Sequence, residues 1–366
     1  MKEVLAFDDV TLEPQTTSLD SRSQVDISTT IAGMSYALPI ISAPMDTVIE
    51  ERMAAELTRL GAAPCLHRFS DAERIAYVYN YANNPKTWVS VGLKDFEKMQ
   101  FLKKQGINNW LLDVAHGAQE QVVRWVHDFR KLYPNDNLMV GNFATGKQID
   151  WMINRLGSRD MVNTWRIGVA SGAACSTRVQ TGHGIPTLTS LLSCKGLGVE
   201  LIADGGIKTG GDVTKALAAG ASAVMVGSLL AACEESPGQV FYKNAWGEIL
   251  TLEQAADKII DPNTGELMPL VEPDMPKVKA FRGSASKASY NVQNKTGSYF
   301  TAEGAEMHLP YKGKTEELLN ELMGGLRSGL MYSGVATIKE LQQKAVFAKL
   351  THAGYIEGTP HGKART

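Results

Sequence analysis

The stretch SGAACSTRVQTG, residues 171–182, sets a single cysteine among small residues, with Ser176, Thr177 and Arg178 directly behind it. A cysteine is most often a small buried hydrophobe. As a thiolate it also attacks electron-poor carbons and holds them covalently. Small neighbours let a ligand approach the backbone, which suits the second role without excluding the first. Two glycine clusters have a similar double meaning: Gly205 and Gly206 follow Asp204, and Gly227 precedes Ser228. Free backbone N–H groups beside a helix start bind phosphate, because unpaired donors and the helix dipole both favour an anion. The same glycines could serve only to make tight turns. Asp204 has the chemistry to hold a pair of ribose hydroxyls and equally to cap a following helix.

These residues sit in a repeating frame. Short apolar runs recur from residue 38 onward: LPIISA (38–43), AAPCLH (62–67), WVSVG (88–92), WLLDV (110–114), LMVGN (138–142), WRIGV (165–169), ELIAD (200–204) and AVMVG (223–227). Segments with helical periodicity separate them, among them EERMAAELTRLG, DAERIAYVYNYA, DFEKMQFLKKQG, QEQVVRWVHDFRKLYP and GGDVTKALAAG. The spacing is that of a strand plus a crossover helix. Near-continuous apolar strands alternating with helices predict an α/β fold with a parallel sheet. Eight such units predict a (β/α)8 TIM barrel of one domain over residues 1–366. An open doubly wound sheet is the alternative, but no GxGxxG follows the first strand. Residues 1–37 read as an N-terminal extension and 354–366 as a tail, both extended segments packed on the barrel or on a neighbour. Residues 234–315, rich in Gly, Ser, Pro, Lys and Asn, read as a mobile flap inserted after the eighth strand. In a barrel the C-terminal strand ends share one rim, where active sites lie. That rim collects SAPMDT, HRFS, AHG, NFAT, ASGAACSTR, DGGIKTGGD and GSLL. Cys175 therefore falls on the rim, and the nucleophile reading gains.

Composition narrows the partners. Of 366 residues, 44% are hydrophobic and 21% charged, with a formal net charge of −2, so nothing in the charge calls for nucleic acid or an anionic membrane. No apolar run reaches the ~18 residues of a membrane span. Acidic residues in MKEVLAFDDV argue against a signal peptide. Cys65, Cys175, Cys194 and Cys233 lie far apart without CxxC spacing, which fits neither a zinc site nor a disulfide framework. The expectation is a reduced, cytoplasmic protein.

The stretches FDDVTLEP, SRSQVDIS, PIISAPMDTV, DVAHG, GNFAT, CSTRVQTGHGIP, IADGGIKTGGDVTKALAAGASAVMVGSLLA, EESPG, EGAEMHLPYKG and GGLRSGLMYSGVATIKEL occur in that order. Over nearly its whole length the chain thereby resembles the IMP dehydrogenase/GMP reductase family. No CBS regulatory domain interrupts the barrel. The resemblance implies that Cys175 attacks C2 of a purine 5′-nucleotide to form a thioimidate, and that Thr177 pairs with Glu303 to shuttle protons. It places Asn142, Arg166, Asp204, Gly205, Gly206, Gly227, Ser228, Gly283 and Ser284 at the nucleotide. Arg68, Asp113, Val114 and Ala115 fall at a nicotinamide cofactor. It implies a monovalent cation, potassium, on the carbonyls of Gly168, Gly172 and Cys175, and assembly as a homotetramer. An arginine at position 68 suits the 2′-phosphate of NADPH, with NAD as the alternative.

Family dehydrogenases hydrolyse the thioimidate with an Arg-Tyr pair on the flap. From Ser284 to Ala302 this chain has no arginine, and Ser298, Tyr299 and Phe300 stand where the pair would fall. A reductase needs no activated water, so the resemblance points to GMP reductase: GMP and NADPH give IMP, ammonia and NADP. The rivals are an IMP dehydrogenase making XMP with NAD, an FMN-binding barrel, and a degenerate homologue that binds purine nucleotide without turnover. Departures from the family pattern fall at Ala173, Phe281, Lys287, Phe300 and Ala302. Ala173 and Phe281 each remove a hydroxyl that commonly reaches phosphate, and one such bond to a charged acceptor is worth about 1.5–3 kcal/mol.

Overall fold

The computed structural model describes residues 1–256, 273–286 and 302–359. Eight parallel strands form the centre: β1 (Ile40–Ser42), β2 (Cys65–Leu66), β3 (Trp88–Val91), β4 (Asn109–Asp113), β5 (Asn137–Phe143), β6 (Thr164–Ile167), β7 (Glu200–Asp204) and β8 (Ala221–Val226). Each pairs with its sequence neighbour from β2 to β8, and β8 pairs with β1. A bridge between Ile41 and Ala63 closes the last seam between β1 and β2. This is the (β/α)8 barrel that the repeat predicts.

The strands are apolar on both faces because both are covered. In β4, Trp110 and Leu112 join the outer core under the helices, while Leu111 joins the inner core with Ile41, Met139, Ile202 and Ala223. The outer ring is α1 (Glu51–Leu60), α2 (Ala72–Ala82), α3 (Phe96–Lys104), α4 (Glu120–Leu132), α5 (Gly146–Leu156), α6 (Thr187–Cys194), α7 (Gly210–Ala218) and α8 (Thr315–Tyr332). Local signals set their ends. Asp71 accepts from Arg74 N at 2.7 Å to start α2, and Gly61 ends α1 in the left-handed region at φ 77°.

Two regions depart from the expectation of extended segments. In the N-terminal extension, Thr29–Ile31 and Met34–Tyr36 form an antiparallel hairpin. Its two-residue turn puts Ala32 and Gly33 at φ 49° and 77°, as a tight hairpin requires. The hairpin buries Ile31 and Tyr36 with Trp88 in the inner core, and Trp88 Nε1 donates to Tyr36 Oη at 3.2 Å. It plugs the barrel end opposite the rim. In the tail, Thr351 caps a short helix, His352–Glu357.

The insertion after β8 is built as well. β9 (Val240–Lys243), β10 (Ile249–Leu250), β11 (Lys277–Arg282) and β12 (Glu306–Pro310) make an antiparallel sheet in the order β10-β9-β11-β12. Arg282 holds it to the loop after β1 through two bonds from Nε to the Asp46 carboxylate, at 3.2 and 3.1 Å. The described part of the insertion is thus a sheet docked on the rim. Residues 287–301, which hold Lys287, Ser298, Tyr299 and Phe300, lie outside the described residues.

Candidate active site

Strand alternation decides what faces the mouth. Asp113 ends β4 two residues beyond the inward Leu111, and Asp204 ends β7 two beyond the inward Ile202. Between them, Arg166 of β6 reaches both carboxylates. Its Nη1 donates to Asp113 Oδ1 at 2.6 Å and its Nε to Asp204 Oδ2 at 3.0 Å. Asn142, on β5, donates through Nδ2 to the same Asp204 oxygen at 2.7 Å and to Gly168 O at 2.6 Å. Arg68 approaches Asp113 Oδ2 from the other side, at 3.4 Å. Burial pushes the Asp113 carboxyl up, but the charges of Arg166 and then Arg68 outweigh it and hold it below the usual carboxylate range. Burial likewise works against the Arg166 charge, and Asp204 and Asp113 more than restore it.

The four cysteines differ in exposure. Cys175 is exposed, whereas Cys65, Cys194 and Cys233 are buried. Burial pushes the thiols of Cys194 and Cys233 up to about 11, and that of Cys65 higher still. Cys175 Sγ donates to Thr177 Oγ1 at 3.2 Å, and Thr177 Oγ1 donates to Glu303 Oε2 at 2.7 Å. A thiol, a hydroxyl and a carboxylate from positions 126 residues apart thus form one continuous proton path.

Backbone pairing brings these groups together. Ser176 N donates to Glu303 O at 2.8 Å, and Ala305 N to Ala174 O at 2.8 Å, so Cys175 and Gly304 face each other as an antiparallel bridge. On its far side Gly304 bridges Ser286. A Cβ on Gly304 would lie 2.8 Å from Ser286 N and 3.0 Å from Ala285 C, so only glycine fits. Nothing in the sequence pattern marks Gly304, because its partners lie in other segments. The same pairing uses up Gly283, whose N–H goes to Ala305 O and whose carbonyl accepts from Ser286 N. Gly283 is a junction residue here, and its backbone offers the nucleotide no free donor. Ser284 follows it at the edge of the described residues.

Gly205 and Gly206 turn the chain at φ 86° and 82°. Yet none of Gly205, Gly206, Gly227 and Ser228 donates its backbone N–H to another described residue. Free donors at a barrel mouth have the chemistry to bind an anion. Asp204 does not cap the next helix; Thr209 and Asp212 form that capping box. Ser171, absent from the sequence-derived set, donates to Asp204 O at 3.1 Å and packs under Gly205.

Residues with no visible chemistry in the sequence hold the Arg68 loop. Lys98 of α3 donates to Arg68 O and Ser70 O at 3.1 and 3.0 Å. Glu50 binds His67 Nε2 at 2.8 Å, while His67 Nδ1 accepts from Phe69 N at 3.2 Å. Val114 is pinned by backbone bonds to Gly141 and Asn142, and Ala115 is exposed beside it. Of the expected cation ligands, Gly168 O already accepts from Asn142 and Gly172 O from Cys175 N. Each of these carbonyls keeps a second lone pair, so neither bond bars a cation.

A family model for the IMP dehydrogenase/GMP reductase domain matches residues 4–249 and 270–361. The chain belongs to the IMP dehydrogenase/GMP reductase family. Members are oxidoreductases that use nicotinamide nucleotides. An inosine-5′-monophosphate dehydrogenase of Nitrosopumilus maritimus is 37% identical over 293 residues, 76% of this chain; the chain spans only 54% of that longer protein. GMP reductase of Shewanella pealeana is 31% identical over 362 residues, 94% of both chains. Human GMP reductase 2 is 31% identical over 365 residues, covering 95% of this chain and 94% of its own. Among the described residues no helix is long and apolar enough to cross a membrane.

Proposed function

We propose that the protein is a GMP reductase, converting GMP to IMP and ammonia with NADPH. The observation that carries this reading is the Cys175–Thr177–Glu303 path, with links of 3.2 and 2.7 Å. Phosphate would sit on the free N–H groups of Gly205, Gly206, Gly227 and Ser228, and the ribose hydroxyls on Asp204. The Cys175 proton passes to Thr177 Oγ1 as the Thr177 proton passes to Glu303. The thiolate then forms a C–S bond to C2 of the purine. As the C2–N bond breaks, the proton returns from Glu303 through Thr177 to the departing nitrogen, which leaves as ammonia. The product is a thioimidate on Cys175. Asp113 would accept hydrogen bonds from the nicotinamide end of the cofactor. Arg68, whose side chain is about a quarter exposed at 23%, would meet a 2′-phosphate. Reduced nicotinamide, when bound, supplies the hydride that C2 takes as the C–S bond breaks. Cys175 leaves as thiolate and regains a proton.

The choice of reductase over dehydrogenase follows from the lack of arginine between Ser284 and Ala302. Hydrolysis of the thioimidate needs a base for water, and without that arginine the Thr177–Glu303 pair would be a poor substitute. The higher identity to a dehydrogenase favours the second reading, oxidation of IMP with NAD. Assembly as a homotetramer is part of the proposal. Replacing Cys175 by alanine tests the covalent step: NADPH oxidation with GMP should vanish while GMP still binds. Retained turnover would refute it.

A further inference from the structure

Arg68, Asp113, Arg166 and Asp204 form a chain of alternating charge across the barrel mouth, with links of 3.4, 2.6 and 3.0 Å. It runs from the loop after β2 to the end of β7. The functional reading puts cofactor at one end and nucleotide at the other, and the inference rests on that reading. The Arg166 side chain is only 10% exposed and both its partners are mostly buried. Such burial strengthens both ion pairs relative to surface ones. Two of the five N–H donors of Arg166 are directed at these carboxylates, Nη1 at Asp113 and Nε at Asp204. We propose that Arg166 is a positioning residue that couples the two ends, so that filling the cofactor end raises nucleotide affinity.

The physical basis is the rigid guanidinium fork. One planar group holds two carboxylates on two of its edges, which an ammonium cannot do. Asp113 divides its charge between Arg166 and Arg68. When ligand donors occupy the Asp113 carboxylate, its pull on Arg166 weakens and the guanidinium settles onto Asp204. Arg166 and Asn142 both bind Asp204 at Oδ2. Among the described residues Oδ1 takes no hydrogen bond and is left to face ribose. Tightening the Oδ2 side fixes the orientation of Oδ1, which removes an ordering cost from nucleotide binding. Linkage makes the effect reciprocal: nucleotide must tighten cofactor by the same factor.

The test is calorimetric titration of GMP into the protein, alone and with saturating NADP, the oxidised form that GMP cannot react with. We expect GMP to bind roughly five- to tenfold more tightly with NADP present. Arg166→Lys should bring that ratio close to one, and Asn142→Ala should weaken GMP in both titrations while the ratio persists. A ratio within twofold of one in the unaltered protein, or weaker binding with NADP, overturns the proposal without touching the functional reading. So does an undiminished ratio in Arg166→Lys. Failure of GMP and IMP alike to bind would sink both. The unaltered protein alone decides the matter should Arg166→Lys not fold.

Discussion

At the residue scale the account rests on which proton goes where. Glu303 is the only carboxylate linked to Cys175 among the described residues, and only through the Thr177 hydroxyl. Glu303→Gln leaves the shape but removes the proton acceptor. Turnover should fall by about 10²–10⁴-fold, the usual size of a general acid–base contribution, with GMP affinity little changed. Steady-state rates with parallel ammonia determination check this; a loss below threefold would remove Glu303 from the mechanism. Asp113 makes a pH prediction. Its carboxyl is held below its ordinary value of 3.8 in the folded protein. It therefore contributes stability that is fully present above about pH 4 and is lost as the pH falls through the depressed value. Asp113→Asn should flatten the acid limb of the stability–pH curve, measured by urea unfolding from pH 6 to pH 3. Chemistry at this scale was legible in Cys175, Asp204 and the glycines, whose types announce what they can do. It was not legible in Lys98, His67 or Ser171, which act by where their loops carry them.

At the element scale, the barrel strands were readable because burial on both faces leaves continuous apolar runs. The sheet after β8 was not, since β11 and β12 are joined by a long segment and alternate polar with apolar residues. The hairpin at Thr29–Ile31 escaped for a different reason: its turn places Ala32 at positive φ, where glycine or asparagine is the usual signal. Two substitutions test these elements. Ile31→Ala empties part of the plug and should destabilise by about 2–5 kcal/mol. In a melt that is a drop of roughly 3–7 °C, and the Michaelis constants should hold. Gly304→Val acts on the three-segment junction beside Cys175. Because displacement of about 1 Å at the reacting group can cost 10²-fold, turnover should fall by roughly that factor with a far smaller change in melting temperature. Equal loss of stability and turnover in both variants would mean that the junction merely holds the fold together.

At the scale of the whole molecule, one mouth joins every strand end that matters to a docked sheet that brings Glu303. The fold alone would host many chemistries; membership of a family of oxidoreductases that use nicotinamide nucleotides narrows them, and the proposed reading places a purine nucleotide at this mouth. Light scattering at micromolar concentration should give about four times the 39.7 kDa of the chain; a monomer would contradict the expected assembly. The most direct test follows reduced nicotinamide by absorbance in two mixtures, GMP with NADPH and IMP with NAD. The account predicts NADPH oxidation in the first, with one ammonia released per NADPH, and no change in the second. NAD reduction by IMP, with the first mixture silent, would contradict it.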